Sequence, residues 1–181
     1  KYEQDQEYEF MFGYEESYGY LIKPFVRDKD AIQACLIIAE AAAYYKYFNK
    51  TLWDVLIDLY QQLGWYNETQ QSITATGAKG AQMIKDIMDR LRNNAVKTIA
   101  GVGVVRYEDY QDQKAYELKK TINLDLPKAD VIKYFLADGS WIAIRPSGTE
   151  PKCKIYYCIF GQDQEELINK EKRYKQAMNE L

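Results

Sequence analysis

Histidine is absent from this sequence of 181 residues. Imidazole is the side chain most often used as a general base near neutral pH, and it is the commonest metal ligand. Its absence excludes histidine bases, histidine nucleophiles and histidine metal ligands anywhere in this chain. Proton transfer here must therefore use a carboxylate, a lysine, a tyrosine or water, and tyrosine is abundant at 17 residues.

Cysteine is scarce, with three residues, Cys35, Cys153 and Cys158. An odd number without C-x-x-C spacing argues against both a disulfide framework and a zinc site. Cys153 and Cys158 fall in one expected strand, five positions apart, so their side chains should face opposite sides. We expect buried free thiols in a reducing cytosol, and hence a cytoplasmic protein.

Long apolar runs and strong net charge are also missing. No run is long enough to span a bilayer and no signal-peptide pattern is seen, so we expect no membrane partner. The net charge of −3 provides no basic field, so we expect no nucleic-acid partner. The sequence begins with Lys1 rather than methionine, and we expect it to be a fragment of a longer protein.

Apolar periodicity and capping residues predict four helices. They follow Asp28 or Asp30, Thr51, Lys79 and Asp163. The first is apolar on more than one side and should pack between a sheet and another helix. On the last, Leu167, Ile168, Tyr174, Ala177 and Met178 should form the buried side.

Runs of aromatic and β-branched residues predict the strands. These are EFMFG near the start, IAGVGVVRYEDY, both arms of VIKYFLADGSWIAIR around an Asp138-Gly139 turn, and KCKIYYCIF. Residues 65–79 are interpreted as a connection into a strand, and 111–130 as a polar excursion. The order predicts an α+β chain: a piece of an α/β domain, then an antiparallel sheet with helices packed on one face.

The run Arg145-Pro-Ser-Gly-Thr-Glu-Pro-Lys152 joins two of the expected strands. Arginine offers a planar fork of donors, and Ser147 and Thr149 add hydroxyls. Gly148 permits a backbone conformation in which successive N–H groups converge on an anion. The composition favours a phosphate-binding loop; the alternative is a polar turn whose proline and glycine only bend the chain.

A second unusual stretch is Gly13-Tyr-Glu-Glu-Ser-Tyr-Gly-Tyr20. The carboxylates of Glu15 and Glu16 can accept hydrogen bonds from vicinal sugar hydroxyls, Ser17 adds a donor and acceptor, and the tyrosines offer flat walls for a sugar ring. The alternative is a solvated acidic turn. Ten residues later Arg27 and Lys29 begin a helix, where capping and surface charge are the alternative.

Three stretches follow one another along the chain: GYEESYGY, FVRDKDA and DGSWIAIRPSGTEPK. Together they resemble the α-D-phosphohexomutase family, and phosphoglucomutases in particular. In that family four domains surround one cleft. The resemblance implies that residues 1–65 are the C-terminal part of an α/β third domain, with the sugar-binding loop. It implies that residues 66–181 are the fourth domain, with the phosphate-binding loop.

The resemblance also implies roles for individual residues. Glu15 and Ser17 match sugar-binding positions, Glu16 lies between them, Lys29 matches a lysine of the cleft, and Arg27 adds positive potential. The phosphate-binding set is Arg145, Ser147, Gly148 and Thr149, with Lys152 in reach of the same anion. Glu-Glu-Ser is typical of the glucomutase branch, while phosphopentose substrates stay open.

The family interconverts hexose 1-phosphate and hexose 6-phosphate through a phosphoserine and a bisphosphate intermediate. The phosphoserine loop and the Mg²⁺-binding loop belong to other domains, and neither motif occurs here. We therefore expect no catalytic nucleophile and no metal ligand in this chain, which should be inactive without the missing N-terminal domains. The competing interpretations are a non-catalytic phosphosugar- or phosphate-binding module and a purely structural α+β domain.

Overall fold

The computed structural model describes residues 9–15, 18–75, 79–94, 96–117, 120–148 and 150–180. The chain divides between Leu63 and Gly64 into two compact units, an N-terminal unit and a C-terminal unit. None of the described helices is both long enough and apolar enough to cross a membrane.

The N-terminal unit consists of a small hairpin and two helices among its described residues. The hairpin pairs β1 (Gly13–Glu15) with β2 (Gly19–Leu21), and the helices are α1 (Ala31–Tyr47) and α2 (Leu52–Leu63). The strand expected at EFMFG therefore begins later, at Gly13. Asp30, rather than Asp28, caps α1, because its carboxylate accepts hydrogen bonds from the N–H groups of Ile32 and Gln33.

The capping box predicted at the start of α2 is confirmed. The Thr51 amide donates to Asp54 Oδ2 at 2.8 Å, and the Asp54 amide donates to Thr51 Oγ1 at 3.2 Å. Each side chain thus satisfies a backbone donor at the helix end, where no earlier carbonyl is available.

Helix α1 is less covered than its sequence predicts. It packs on β2 and α2, yet none of its residues is buried. Cys35 is exposed, so the expected burial of this thiol is wrong. The physical reason is size: three-residue strands cannot cover a 17-residue helix, and Ile32, Leu36 and Ile38 stay open to solvent.

The C-terminal unit is built on an eight-stranded sheet in which every described strand pair is antiparallel. The strand order is β3-β10-β9-β8-β5-β6-β7, and β4 pairs with β5. The elements are β3 (Trp65–Thr74), α3 (Gly80–Asn93), β4 (Thr98–Ile99), β5 (Val102–Asp109), β6 (Lys114–Glu117), β7 (Lys120–Asn123), β8 (Ile132–Leu136), β9 (Trp141–Pro146), β10 (Lys152–Gly161) and α4 (Gln164–Glu180).

Two segments differ from their sequence interpretation. Residues 65–74 form one continuous strand, with half-buried and exposed positions in strict alternation. The polar excursion contains the β6–β7 hairpin, with Lys114 opposite Asn123 and Glu117 opposite Lys120. Polar residues occupy most of this hairpin, so it lacks the apolar alternation from which strands are recognised.

The core lies between one face of the sheet and the helices α3 and α4. Alternate residues of each central strand point into it, as the two-residue period of a strand requires. The buried set includes Ile84, Met88, Leu91, Ile132, Tyr134, Ile142, Ile144, Cys153, Ile155, Tyr157, Leu167, Tyr174 and Met178. The predicted α+β architecture, with helices on one face of an antiparallel sheet, is confirmed. Ile168 was expected in the core but is 46% exposed.

An ion-pair and hydrogen-bond cluster joins the β8–β9 turn to α4. Asp138 Oδ2 accepts a hydrogen bond from the Tyr174 hydroxyl at 2.7 Å and lies 2.9 Å from Lys170 Nζ. Its other oxygen accepts from the Ser140 amide at 3.0 Å. Burial raises the pKa of this carboxyl, but the bonds from Tyr174, Lys170 and Ser140 outweigh it, and the pKa stays below its ordinary value.

We expect Asp138→Asn to lower the free energy of unfolding at neutral pH by about 1.5–3 kcal/mol, the range for a hydrogen bond to a charged group. The pKa of Asp138 is lower in the folded protein than in the unfolded chain, where it is about 4. The ionised carboxylate therefore stabilises the protein fully above the unfolded-state pKa, and this stabilisation is lost as pH falls through the folded-state pKa. The difference from wild type, measured by urea unfolding, should therefore shrink in acid. Asp112→Asn, at an exposed turn residue, is the control; a difference that does not vary with pH contradicts the assignment.

Candidate phosphate and sugar sites

The loop between β9 and β10 is closed by its own backbone. The Ser147 amide donates to the Lys152 carbonyl oxygen at 2.7 Å, and the Lys152 amide donates to the Glu150 carbonyl oxygen at 2.7 Å. The Glu150 amide donates to Ser147 Oγ at 3.3 Å. Thr149 lies outside the described residues. The loop is thus a tight connection between two paired strands.

The strand register gathers basic residues at this loop. Arg145 on β9 lies directly opposite Lys154 on β10, and Lys152 is two residues from Lys154 on the same face. Cys153 and Ile155 point into the helix-covered core, so these cations lie on the other face of the sheet. Lys152 Nζ is 3.5 Å from Glu150 Oε2. The Arg145 guanidinium is exposed and forms no ion pair with another described residue.

Lys154 is the residue that sequence reasoning missed. Like charges directly opposite each other on neighbouring strands destabilise a sheet unless a counter-charge lies nearby. The signal in the sequence was the alternation Lys152-Cys153-Lys154 inside a strand, which puts both ammonium groups on one face. The opposing arginine becomes visible only once the register between the two strands is known.

Helix α3 begins against the far end of the loop. The Ala75 amide donates to the Pro151 carbonyl oxygen at 2.9 Å. A Cβ on Gly80 would lie 2.2 Å from the Ala75 carbonyl oxygen and 3.1 Å from Pro151 Cβ, so only glycine fits there. This packing ties the loop to the first turn of α3.

A cavity of about 330 Å³ lies between α3 and the loop, and Ser147 and Glu150 line it. It has mixed charge. Arg92, within it, is paired with Asp109 at 3.0 Å and with Asp130. Acidic side chains thus accompany the basic ones in this cavity, whereas Arg145 and Lys154 oppose each other on the other face of the sheet.

The anion-binding backbone that Gly148 is expected to permit stays a prediction, and the φ angle of Gly148 is not in the left-handed region. The described glycines with positive φ are Gly64, Gly101 and Gly139. A Cβ on Gly148 would meet no atom within 4 Å. Neither a left-handed backbone nor a close contact therefore requires glycine at this position among the described residues.

The acidic hairpin of the N-terminal unit brings Glu15 and Lys29 together. Glu15 on β1 is opposite Gly19 on β2, and Lys29 Nζ lies 3.6 Å from Glu15 Oε2 and 3.2 Å from Asp28 Oδ1. Hydrogen bonding to Asp28, then the charges of Asp28 and Glu15, raise the pKa of Lys29. Arg27 is exposed, and Glu16 and Ser17 lie outside the described residues.

Two tyrosines of the hairpin, Tyr14 and Tyr20, lie on the face opposite Glu15, and the role of the tyrosines as walls for a sugar ring stays a prediction. Phe12 stacks with Tyr14 and Tyr20 at centroid distances of 6.0 and 6.3 Å. Tyr14 and Tyr20 are paired across the hairpin, so their side chains lie on the face opposite that of Glu15. The two-residue period of the strands thus separates the aromatic surface from the carboxylate.

Two family models match the chain, one in each unit. The family model described as phosphoglucomutase/phosphomannomutase, C-terminal domain, matches residues 75–171. The model described as alpha/beta/alpha domain III of the same family matches residues 2–63. The chain belongs to the phosphoglucomutase/phosphomannomutase family, as the sequence motifs predicted.

Two curated relatives of this chain are phosphoglucomutases. The chain is 40% identical over 168 residues to a phosphoglucomutase of Staphylococcus aureus (strain MRSA252), covering 92% of this chain and 30% of that protein. It is 41% identical over 173 residues to a phosphoglucomutase of Staphylococcus haemolyticus, covering 92% of this chain and 31% of that protein. The chain therefore spans about a third of the length of these relatives.

A solved structure shares the fold. The crystal structure of the exocytosis-sensitive phosphoprotein pp63/parafusin, a phosphoglucomutase from Paramecium in an open form, matches with a TM-score of 0.58 and 21% sequence identity. The match covers 91% of this chain and 29% of that one.

Gly19→Ala tests the contact between Glu15 and Lys29. A Cβ at Gly19 would lie 2.2 Å from Lys29 Cδ and 2.8 Å from Glu15 Oε1, so the flexible lysine must move. We expect the pKa of Lys29, measured by NMR, to fall part of the way toward its ordinary value, with a stability change below about 1 kcal/mol.

Gly13→Ala is the matched control in the same hairpin, because its Cβ would meet Phe10 Cζ at an ordinary 3.5 Å. This variant should leave the pKa of Lys29 unchanged. Equal effects of the two substitutions would show that the hairpin as a whole, and not the approach of Gly19 to Lys29, controls the lysine.

Proposed function

We propose that this chain is the substrate-binding C-terminal part of a phosphoglucomutase-like isomerase that interconverts hexose 1-phosphate and hexose 6-phosphate. In this proposal residues 1–65 belong to the third domain of the enzyme and residues 66–181 form the fourth. The hexose phosphate and the remaining domains of the same enzyme are its partners, and the protein acts in the cytoplasm.

One observation carries the phosphate-binding part of the proposal. Arg145 and Lys154 are cross-strand neighbours, and Lys152 lies beside them on the same face. A phosphate monoester placed there would neutralise the repulsion between the opposed cations. Arginine would grip two phosphate oxygens with its planar fork, while the lysines would act as point charges. The hydroxyls of Ser147 and Thr149 would complete the clamp.

The acidic hairpin supplies the sugar-binding part. The Glu15 carboxylate would accept hydrogen bonds from sugar hydroxyls, with Glu16 and Ser17 as neighbours in the same turn. Lys29 Nζ lies 3.6 Å from Glu15 Oε2, so a sugar hydroxyl bound to Glu15 would also lie near this ammonium group. The exposed Arg27 would add positive potential for a phosphorylated ligand.

Phosphoryl transfer itself needs groups from other domains. No phosphoserine-loop motif occurs in the sequence. Among the described residues no cluster of three or more histidine, cysteine, aspartate or glutamate side chains could hold a metal ion. We propose that the phosphoserine and Mg²⁺ belong to the rest of the enzyme. The residues of this chain would bind, orient and electrostatically stabilise the substrate.

Phosphate binding is tested by titrating the 181-residue chain with glucose 1-phosphate. We expect Arg145→Ala to weaken binding by about 2–3 kcal/mol, the loss expected for a charge-assisted contact. Lys154→Met should weaken it by roughly 1 kcal/mol and reduce its dependence on salt, because one point charge is removed. Isothermal calorimetry at two ionic strengths measures both effects.

Lys172→Met is the matched control, because it removes the same charge from an exposed position on α4. Unchanged affinity in Arg145→Ala would refute the phosphate assignment and favour a purely structural domain. Equal affinity of the wild-type chain for glucose 1-phosphate and inorganic phosphate would favour the non-catalytic phosphate-binding module.

The isolated chain should not convert glucose 1-phosphate into glucose 6-phosphate, because it holds no phosphoryl donor. A coupled assay for glucose 6-phosphate, with Mg²⁺ and glucose 1,6-bisphosphate present, measures this. Turnover above that of a buffer control, and abolished by Arg145→Ala, would overturn the prediction of inactivity.

A further inference from the structure

Gln33, in the first turn of α1, holds the segment that precedes the helix. Its Oε1 accepts hydrogen bonds from the Lys23 amide at 2.8 Å and from the Ile22 amide at 3.3 Å. These two residues directly follow β2. A side chain of the helix thus satisfies two consecutive backbone donors where the hairpin ends.

The two donors determine the orientation of the amide, because only its oxygen can accept from them. The Nε2 atom is buried and finds no hydrogen-bond acceptor among the described residues. A buried donor without an acceptor is destabilising. Packing alone therefore does not explain a glutamine at this position, because burying its Nε2 group costs stability. The hydrogen bonds are made by its carbonyl oxygen.

The segment from residue 22 to residue 30 is fastened at both ends. At its start Gln33 holds Ile22 and Lys23. At its end the Asp30 amide donates to the Tyr20 carbonyl oxygen at 2.8 Å, and Asp30 caps α1. Lys29 immediately precedes this second attachment, and the first attachment lies six residues before it on the same short segment.

We infer that Gln33 is a positioning residue that sets the place of Lys29 beside Glu15, by anchoring the segment between β2 and α1 through its Oε1. This inference rests on the proposed function, in which Lys29 and Glu15 contact the sugar. Gln33 itself does not touch the substrate. Its carbonyl oxygen limits how far the segment carrying Lys29 can move away from the hairpin.

Two substitutions distinguish the effect of the carbonyl oxygen from that of the Nε2 group. Gln33→Met keeps the length and removes the acceptor, whereas Gln33→Glu keeps an acceptor for both amides and removes the Nε2 donor. Hydrogen exchange of the Ile22 and Lys23 amides measures whether their hydrogen bonds to Gln33 are intact. Titration of the 181-residue chain with glucose 1-phosphate and with inorganic phosphate measures ligand affinity, and the melting temperature monitors folding.

Gln33→Met should lose protection at both amides and bind glucose 1-phosphate roughly three- to tenfold more weakly, as for one lost hydrogen bond. Its affinity for inorganic phosphate, which reads the Arg145 loop, should not change. Gln33→Glu should restore both the protection and the glucose 1-phosphate affinity. Gln61→Met, at an exposed position on α2, is the control and should change neither.

Three results would overturn the inference. The first is glucose 1-phosphate affinity unchanged in Gln33→Met although the two amides exchange freely. The second is protection unchanged in Gln33→Met. The third is a loss of affinity in Gln33→Glu with both amides still protected, which would assign the role to Nε2. A wild-type chain that does not bind glucose 1-phosphate counts against the proposed function, while the exchange experiment still tests the anchor.

Discussion

The register between β9 and β10 is the constraint on which the C-terminal unit depends. It places Ile144 opposite Ile155 on the helix-covered face, and Arg145 opposite Lys154 on the other face. The same pairing therefore builds the apolar core and assembles the basic site. A shift by one residue would exchange the two faces, burying cations and exposing isoleucines, so burial of the core maintains the geometry of the loop.

The N-terminal unit relies on local hydrogen bonds instead of a large core. Asp30 caps α1, Thr51 and Asp54 cap α2, and Gln33 holds the chain after β2. Such contacts act over a few residues, and those of Asp30 and Gln33 attach α1 to the end of the Glu15 hairpin. Helix α1 itself has no buried residue, so these hydrogen bonds take the place of a core among the described residues of this unit.

Sequence reasoning succeeded where the signal was local. The Asp138-Gly139 turn, the Asp163 cap, whose carboxylate accepts from the Glu166 amide, and the periodicity of α3 all arise from neighbouring residues. The choice between Asp28 and Asp30 as the cap of α1 needed the structure. It failed where packing decided the outcome. The β6–β7 hairpin has too few apolar residues for alternation to be visible. Ile168 lies about 100° around α4 from the buried face of Leu167, Tyr174 and Met178, so it is exposed although it is apolar. Exposure of Cys35 depended on what covers α1.

The sequence alone determined the family, because three motifs of specific composition stand in a fixed order along the chain. It also identified the residue types of the phosphate loop, since hydroxyls and a fixed cation are recognisable one by one. Only the tertiary structure decided that Lys154 opposes Arg145, that Gly148 needs no left-handed backbone, and that Gln33 holds the segment before α1. Each of these relations joins residues that are apart in the sequence. Strand pairing and packing bring such residues together, and no pattern along the sequence records them.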